Sequence, residues 1–330
     1  MRLFRRSIDI ALLATFVAPA LAAQNEADPA LVAKAKAIHA KVLSLDTHVD
    51  ISPANFTTTL PNYTQKLRTQ VDLVKMEEGG LVGAFLAVYV GQSPSLDSAG
   101  FARANANALE KFAAVHRLTE TLAPTRAGLA LTVADARRIH AQGKRVIFIG
   151  IENGFPIGAD VTNVKKFYDL GGRYMSLAHN GHSQLSDSNT GERDGVWLHH
   201  GLSALGKQVI AEMNRVGMMI DISHPSKESM MQTIALSKAP IMASHSGVRA
   251  LCNHSRNLDD EQLRAMKKNN GVVQIVAFNA YVKCDPVKDA ARTAARAAAN
   301  DMLRKEYGIS ATQRDPRVRG VLSTKGTLSG

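Results

Sequence analysis

Apolar positions along this chain gather into short continuous runs, at residues 42–46, 82–90, 145–151, 173–178, 218–223, 240–244 and 271–278. Continuous runs of this length predict strands buried on both faces, as in a parallel sheet, because a half-exposed strand would alternate. Between them lie stretches of helical spacing, among them 206–215, 227–237 and 259–268, several opened by Ser, Thr or Asp at N-cap positions. An amphipathic helix is predicted over 29–43, ahead of the first run. Repeated strand–helix units over a chain of this length predict an α/β fold of the TIM-type (β/α)8 barrel, with a doubly wound open sheet as the alternative. Seven strands are legible, so the eighth is missing from the pattern. From Asp285 the chain turns Ala- and Arg-rich through Tyr307, which predicts one long helix, and then runs out in Gly, Ser, Thr and Lys.

The start of the chain has the plan of a secretory signal. Arg2, Arg5 and Arg6 precede an apolar run over 10–18, and small residues stand at Ala20 and Ala22, which predicts a signal peptide over 1–22. A membrane-spanning helix needs about 20 apolar residues. This run is shorter and no later one is long enough, so stable membrane insertion is not expected. The expected protein is exported, periplasmic or secreted, where Cys252 and Cys284 can pair without being required to. Their separation fits no zinc-clip spacing. The organisation read from the chain is therefore a signal over 1–22, a metal-dependent barrel over 23–283, and a helix with a tail over 284–330. The formal charge of +11 is concentrated toward the two ends, and no basic run with interleaved aromatics occurs between them. Nucleic acid is not an expected partner.

The ionisable residues fall at particular places on the predicted strands. The first run leads into Asp46-Thr47-His48-Val49-Asp50, the third into Glu152-Asn153-Gly154, the fourth into His179, the fifth into Asp221-Ile222-Ser223-His224 and the sixth into Ser244-His245-Ser246. All are C-terminal ends, and in a parallel barrel those ends open on one face, where such barrels place their chemistry. Charged and imidazole groups gathered there are costly unless paired or metal-bound. His48 and Asp50, two apart on a strand, point to the same side. His48, Asp50, Glu152, His224 and His245 supply two carboxylates and three imidazoles with no thiolate, a set that suits zinc or a similar divalent ion. Five ligands exceed one tetrahedral site. They suggest two metals, with metal-bound hydroxide as the nucleophile.

At these residues the chain resembles the membrane dipeptidase (renal dipeptidase) family of zinc peptidases, among the amidohydrolase-like metal barrels. The likeness runs over about 44–278 and is strongest over 201–257, in GLSALGKQVIAEMNRVGMMIDISHPSKESM, then SKAPIMASHS, then CNHSRN. The resemblance implies two Zn2+ per chain: His48 and Asp50 on one ion, Glu152 bridging, His224 and His245 on the second. It implies that His179 in LAHN polarises the scissile carbonyl, that Arg256 in SRN binds the substrate carboxylate, that the substrate is a dipeptide, and that the chain can form a homodimer. Three departures accompany it. Thr47 and Asn153 stand where the family usually has Gly, and the Asp-Phe-Asp-Gly motif that ends the family's eighth strand, whose first aspartate transfers the proton, does not occur after Phe278. Two other readings follow: a metal-binding member with impaired turnover, or an amidohydrolase-type zinc enzyme acting on a lactone or another amide. Asp285 is the nearest carboxylate that could stand in for the missing one.

Other polar residues read more plainly. His182, His199, His200 and His254 lie off the strand ends and are expected in solvated loops. Met213, Met218, Met219, Met230, Met231 and Met242 are expected in the core. Asp187 and Trp197 fall in a long segment over 181–202, expected as a surface loop whose aromatic anchors it by packing.

Overall fold

The computed structural model describes residues 28–93 and 95–307. The described residues up to Val42 group as one unit, and those from Leu43 onward as another. The first unit holds a single helix, α1 (Pro29–His39), whose N-terminal N–H groups are capped by the Asp28 side chain. It buries none of its residues.

The second unit carries nine strands: β1 (Leu45–Asp50), β2 (Gly83–Tyr89), β3 (Ala127–Leu129), β4 (Arg145–Glu152), β5 (Gly172–Ser176), β6 (Met219–Asp221), β7 (Met242–Val248), β8 (Asn257–Leu258) and β9 (Val272–Ile275). Its helices are α2 (Leu73–Gly79), α3 (Ser98–Arg117), α4 (Val133–Ala141), α5 (Thr162–Asp169), α6 (Thr190–Asp194), α7 (Ala204–Val216), α8 (Lys227–Leu236), α9 (Asp260–Lys268), α10 (Asn279–Val282) and α11 (Pro286–Tyr307). Every strand pairing is parallel, in the order β1-β2-β4-β5-β6-β7, with β9 beside β7. Short β3 and β8 pair alongside β4 and β7. This is the expected α/β architecture of a TIM-type barrel, with the seven predicted strands present and an eighth barrel strand lacking among the described residues.

The sheet curls far enough to bring β1 back to β7, where the Thr47 hydroxyl donates to the Ser244 carbonyl at 2.6 Å. Inside the curve lies a layer built from Leu45, Phe85, Phe148, Tyr174 and Met242, with Phe85 stacked on Phe148 at 4.6 Å. Gly150 on β4 makes room for that layer, since a Cβ there would overlap the Tyr174 ring. The larger core lies where the sheet meets the helices. β2 and β4 are buried almost end to end, which is why both read as unbroken apolar runs. At the other extreme β9 is an edge, with Val272 54% and Ile275 63% exposed.

Several boundaries differ from the pattern. β1 begins at Leu45 and continues through Asp50, and β7 continues to Val248, while β5 stops at Ser176, β6 at Asp221, β9 at Ile275 and α1 at His39, each short of its predicted end. The first two extend through polar residues because those side chains face the site and the backbone still pairs. β3 and β8, of three and two residues, lie outside the apolar runs. α11 occupies the predicted long helix. Cys252 and Cys284 form a disulfide that ties the loop after β7 to the start of α11. Among the described residues no helix is long and apolar enough to cross a membrane. The predicted signal segment and the tail after Tyr307 lie outside the described residues.

The Gly150–Tyr174 contact predicts that Gly150→Ala lowers stability by about 1–3 kcal/mol through overpacking. Urea denaturation of this variant, Tyr174→Leu and the double variant checks it. The double variant should lose less than the sum of the two, because removing the ring removes the clash.

Candidate metal centre

Five strand ends converge on one buried carboxylate, Glu152, at the end of β4. His224 Nε2 lies 2.9 Å from Glu152 Oε1, His245 Nε2 3.4 Å from the same oxygen, and His48 Nε2 3.3 Å from Oε2. His179 stands further off, its Nε2 at 3.7 Å from Oε1. Asp50 joins through His48, at 3.7 Å, and its carboxylate is 75% exposed, so it forms the solvent side of the cluster. Two triads of donor atoms result, His48–Glu152–His245 and Glu152–His179–His224. The predicted cluster residues are thus together, but Asp50 belongs to neither triad, whereas His179 completes the second.

Local backbone features aim these side chains. β1 carries a bulge between Asp46 and Val49, and the extra residue lets Thr47 reach β7 while the His48 ring stacks on His245 at 3.8 Å. His224 has φ +84°, a conformation disfavoured for a side chain of its size, and its carbonyl is held by both N–H groups of Asn189. Asn153 has φ +74°, which explains how it replaces the usual Gly: Asn tolerates this region better than most residues. Its side chain then contributes what Gly cannot, donating to the Val90 carbonyl and to Gln92 and so tying the end of β4 to that of β2.

A second layer fixes the tautomers. The Tyr174 hydroxyl donates to the Thr47 carbonyl at 3.0 Å, so its lone pair accepts from His48 Nδ1, also at 3.0 Å. Ser244 donates to Asp221 at 2.6 Å and accepts from His245 Nδ1 at 2.8 Å. His224 Nδ1 donates to Asn180 Oδ1 at 3.1 Å. With each Nδ1–H committed, every Nε2 presents its lone pair inward when the ring is neutral. His224 and His245 Nε2 lie 3.0 Å apart, both facing a carboxylate oxygen. Converging lone pairs are the donor set of a divalent cation, and the residues fit one. Asp221 escaped sequence reading as a site residue, because nothing in its spacing pairs it with Ser244.

Burial and charge set the protonation of the cluster. Burial alone would raise Glu152, but hydrogen bonds from His224, His245 and His48 hold it well below the ordinary carboxylate range. Burial would lower His48; Asp50 and Glu152 overcome it and push its pKa up to about 10, so without a metal a proton takes the place between these groups that a bound cation would fill. Asp50 is lowered by the His48 hydrogen bond. His224 and His245 are lowered by burial, and His179, by the same cause, to about 4. Arg256 is 3% exposed and donates to the His245 carbonyl at 3.0 Å, while its Nε has no partner. No described carboxylate lies within ion-pair distance of it. Burying a guanidinium without a compensating anion is costly.

Residues 32–309 match the sequence profile of the membrane dipeptidase family, peptidase family M19. The chain belongs to that family. Dipeptidase aclJ of Aspergillus oryzae is 34% identical over 229 residues, covering 68% of this chain and 53% of that protein, and dipeptidase tcpJ of Claviceps purpurea is 33% identical over the same shares. The chain thus spans about half the length of the curated relatives it matches. Among solved structures, the probable dipeptidase PvdM from Pseudomonas aeruginosa superposes with a TM-score of 0.73 at 27% identity, covering 91% of this chain and 79% of that one. A metallopeptidase from Rhodobacter sphaeroides liganded with a phosphinate mimic of L-Ala-D-Ala superposes at 0.60 and 26% identity, covering 71% of this chain and 73% of that one.

The segment 181–202 differs from the expected surface loop. Asp187 is fully buried and accepts from the N–H groups of Leu198, His199 and Gly201, while its carbonyl accepts from Ser226 and Ser229. His182 lies against its carboxylate at 3.0 Å and His199 Nε2 meets the Ser183 carbonyl at 2.9 Å, so neither is solvated as expected; His200 is exposed. His254 packs on Tyr281 with ring centroids 4.7 Å apart. Trp197 packs against Gly191 and is 37% exposed. Of the methionines, Met213, Met218, Met230 and Met242 are buried, Met231 is half-buried, and Met219 is 40% exposed.

Burial would raise the Asp187 pKa, but His182 and the three backbone donors hold it well below the carboxylate range. A lowered carboxylate contributes stability that is full above its unfolded pKa of about 4 and is lost as pH falls below that. Asp187→Asn should therefore be less stable than the parent at neutral pH, by about 3 kcal/mol at most, with the gap narrowing from pH 4 to pH 2. Urea midpoints of both proteins against pH check this; a gap independent of pH would show that charge is not what holds the loop.

Proposed function

We propose that this chain is a zinc-dependent dipeptidase with a two-metal site, exported from the cytoplasm. The carrying observation is the convergence of three imidazole Nε2 atoms, each with its Nδ1–H committed elsewhere, on buried Glu152. His48 and Asp50 would hold one ion, His224 and His245 the other, and Glu152 would bridge them. Bound zinc would supply a Lewis acid and a water acidic enough to ionise near neutral pH.

The chain's own residues do the rest. Arg256 pairs with the C-terminal carboxylate of a dipeptide, since a guanidinium fork matches a carboxylate and this one has no ion-pair partner of its own. His179, held neutral by burial and 21% exposed, stays free to donate one hydrogen bond to the scissile carbonyl. Its carbonyl is fixed by the Ser188 hydroxyl and the Gly181 N–H, so the ring is held by a turn. The disulfide and the signal-like start of the chain support an oxidising compartment.

One observation favours a second reading, a metal-binding member with weak turnover. Asp285 accepts from the Lys288 N–H at the head of α11 and is not in the cluster. Among the described residues Asp50 and Glu152 are the cluster's carboxylates, and both are committed as ligands, which leaves no separate carboxylate for proton transfer.

Zinc content measured by mass spectrometry after dialysis should be two ions per chain, and His224→Ala or His245→Ala should lose the second ion with nearly all hydrolysis. A variant that keeps two ions contradicts the ligand assignment. Turnover of simple L-dipeptides by the zinc-loaded chain should be about 10²–10⁴ below that of the same chain extended by a family-like eighth strand. Equal rates would show that a group other than that strand's carboxylate moves the proton.

A further inference from the structure

Helix α3 turns a core-facing stripe toward the sheet through Gly100, Ala104, Ala108, Phe112 and Val115, spaced at three- and four-residue intervals. Lys111 flanks that stripe beside Phe112 and is half-buried. A lysine kept partly out of water beside a core-facing stripe is uncommon unless its ammonium has something to meet. Its Nζ lies over the ring of Tyr89, 5.4 Å from the centroid. Tyr89 is the last residue of β2, paired in register with Glu152, and its ring lies against that of His179 at 4.6 Å. Lys111 therefore reaches the metal cluster from the β2 side. It makes no ion pair with a described residue; the carboxylates whose field it feels are Asp50, Glu152 and its exposed neighbour Glu110.

Arg256 lies on the opposite flank, against the backbone of β7, and its charge is felt at His179, His224 and His245. In the dipeptide reading on which this inference rests, Arg256 takes the C-terminal carboxylate and His179 the scissile carbonyl. The residue on the amino side of that bond then extends away from Arg256, toward Tyr89 and Lys111. We propose that Lys111 is a specificity residue that receives an anionic side chain on the first residue of the substrate, so that the site favours dipeptides beginning with an acidic residue. Tyr89 supplies the apolar wall along which such a side chain lies, and the ammonium supplies the charge-assisted end contact.

Calorimetric titration of the zinc-loaded chain with Glu-Ala, Ala-Ala and Lys-Ala tests this without requiring turnover. Glu-Ala should bind about tenfold tighter than Ala-Ala. Lys111→Met should erase that ratio, Lys111→Glu should reverse it in favour of Lys-Ala, and Lys111→Arg should retain it. A structural role for Lys111 would not produce the reversal, and the Arg variant keeps the test decisive if Met disturbs the fold. Equal binding of all three dipeptides, unchanged in Lys111→Glu, overturns the inference alone. Binding of none of them overturns the dipeptide-site reading and this inference with it.

Discussion

A carboxylate buried to 3% exposure at the end of a central strand is the constraint on which the rest of this structure depends. Removed from water, Glu152 is tolerable only if cationic or donor groups surround it. The neighbours that do so come from β1, the ends of β5 and β6, and β7, so the sheet has to curl until those ends meet. The Thr47–Ser244 bond and the Tyr174 ring, which fits over Gly150, hold that curl. Tyr174 acts in both layers of the problem, filling the interior with its ring and orienting His48 with its hydroxyl. Fold and site are therefore one arrangement.

The second layer shows the same economy. Asp221 accepts from the N–H groups of Ser223 and Ser244 and from the Ser244 hydroxyl, so one buried carboxylate joins β6 to β7 and sets the His245 tautomer. Asn189 holds the strained backbone of His224 through its carbonyl, and the segment that carries Asn189 is itself knotted around Asp187. Strain at such a residue persists only where its surroundings over-determine it, and here two hydrogen bonds to one carbonyl do so.

What the sequence revealed and concealed follows from the range of the interactions. The central strands β2 and β4 were legible because burial on both faces leaves continuous apolar runs. β9 was legible from its apolar residues although it forms an edge, and the cluster residues were legible because ionisable groups at the ends of such runs stand out. The far ends of β1 and β7 were hidden, since Val49, Asp50, Ser246, Gly247 and Val248 lie beyond the apolar runs although their backbones pair. The bulge in β1, the link from Asp221 through Ser244, and the burial of Asp187 depend on contacts between segments distant in the chain, which no local pattern encodes. His182 and His199 were misjudged for a different reason: each finds its partner within the segment 181–202, which folds on itself around Asp187 instead of lying in solvent.

The electrostatic layout adds a further step. Two cations with no ion-pair partner, Arg256 and Lys111, flank the cluster from the β7 and β2 sides, and both are shifted down chiefly by burial. Each is costly in isolation, and packing alone would replace both with apolar residues of similar size. The carboxylates near them, Asp50 and Glu152, are already engaged with imidazoles. The positive flanks are thus not neutralised by the cluster between them, and a zwitterionic or anionic molecule lying across it would supply the missing charge. In the proposed dipeptidase reading, a cation on either side of the cluster would select the ligand by length as well as by charge, because both would have to be reached at once.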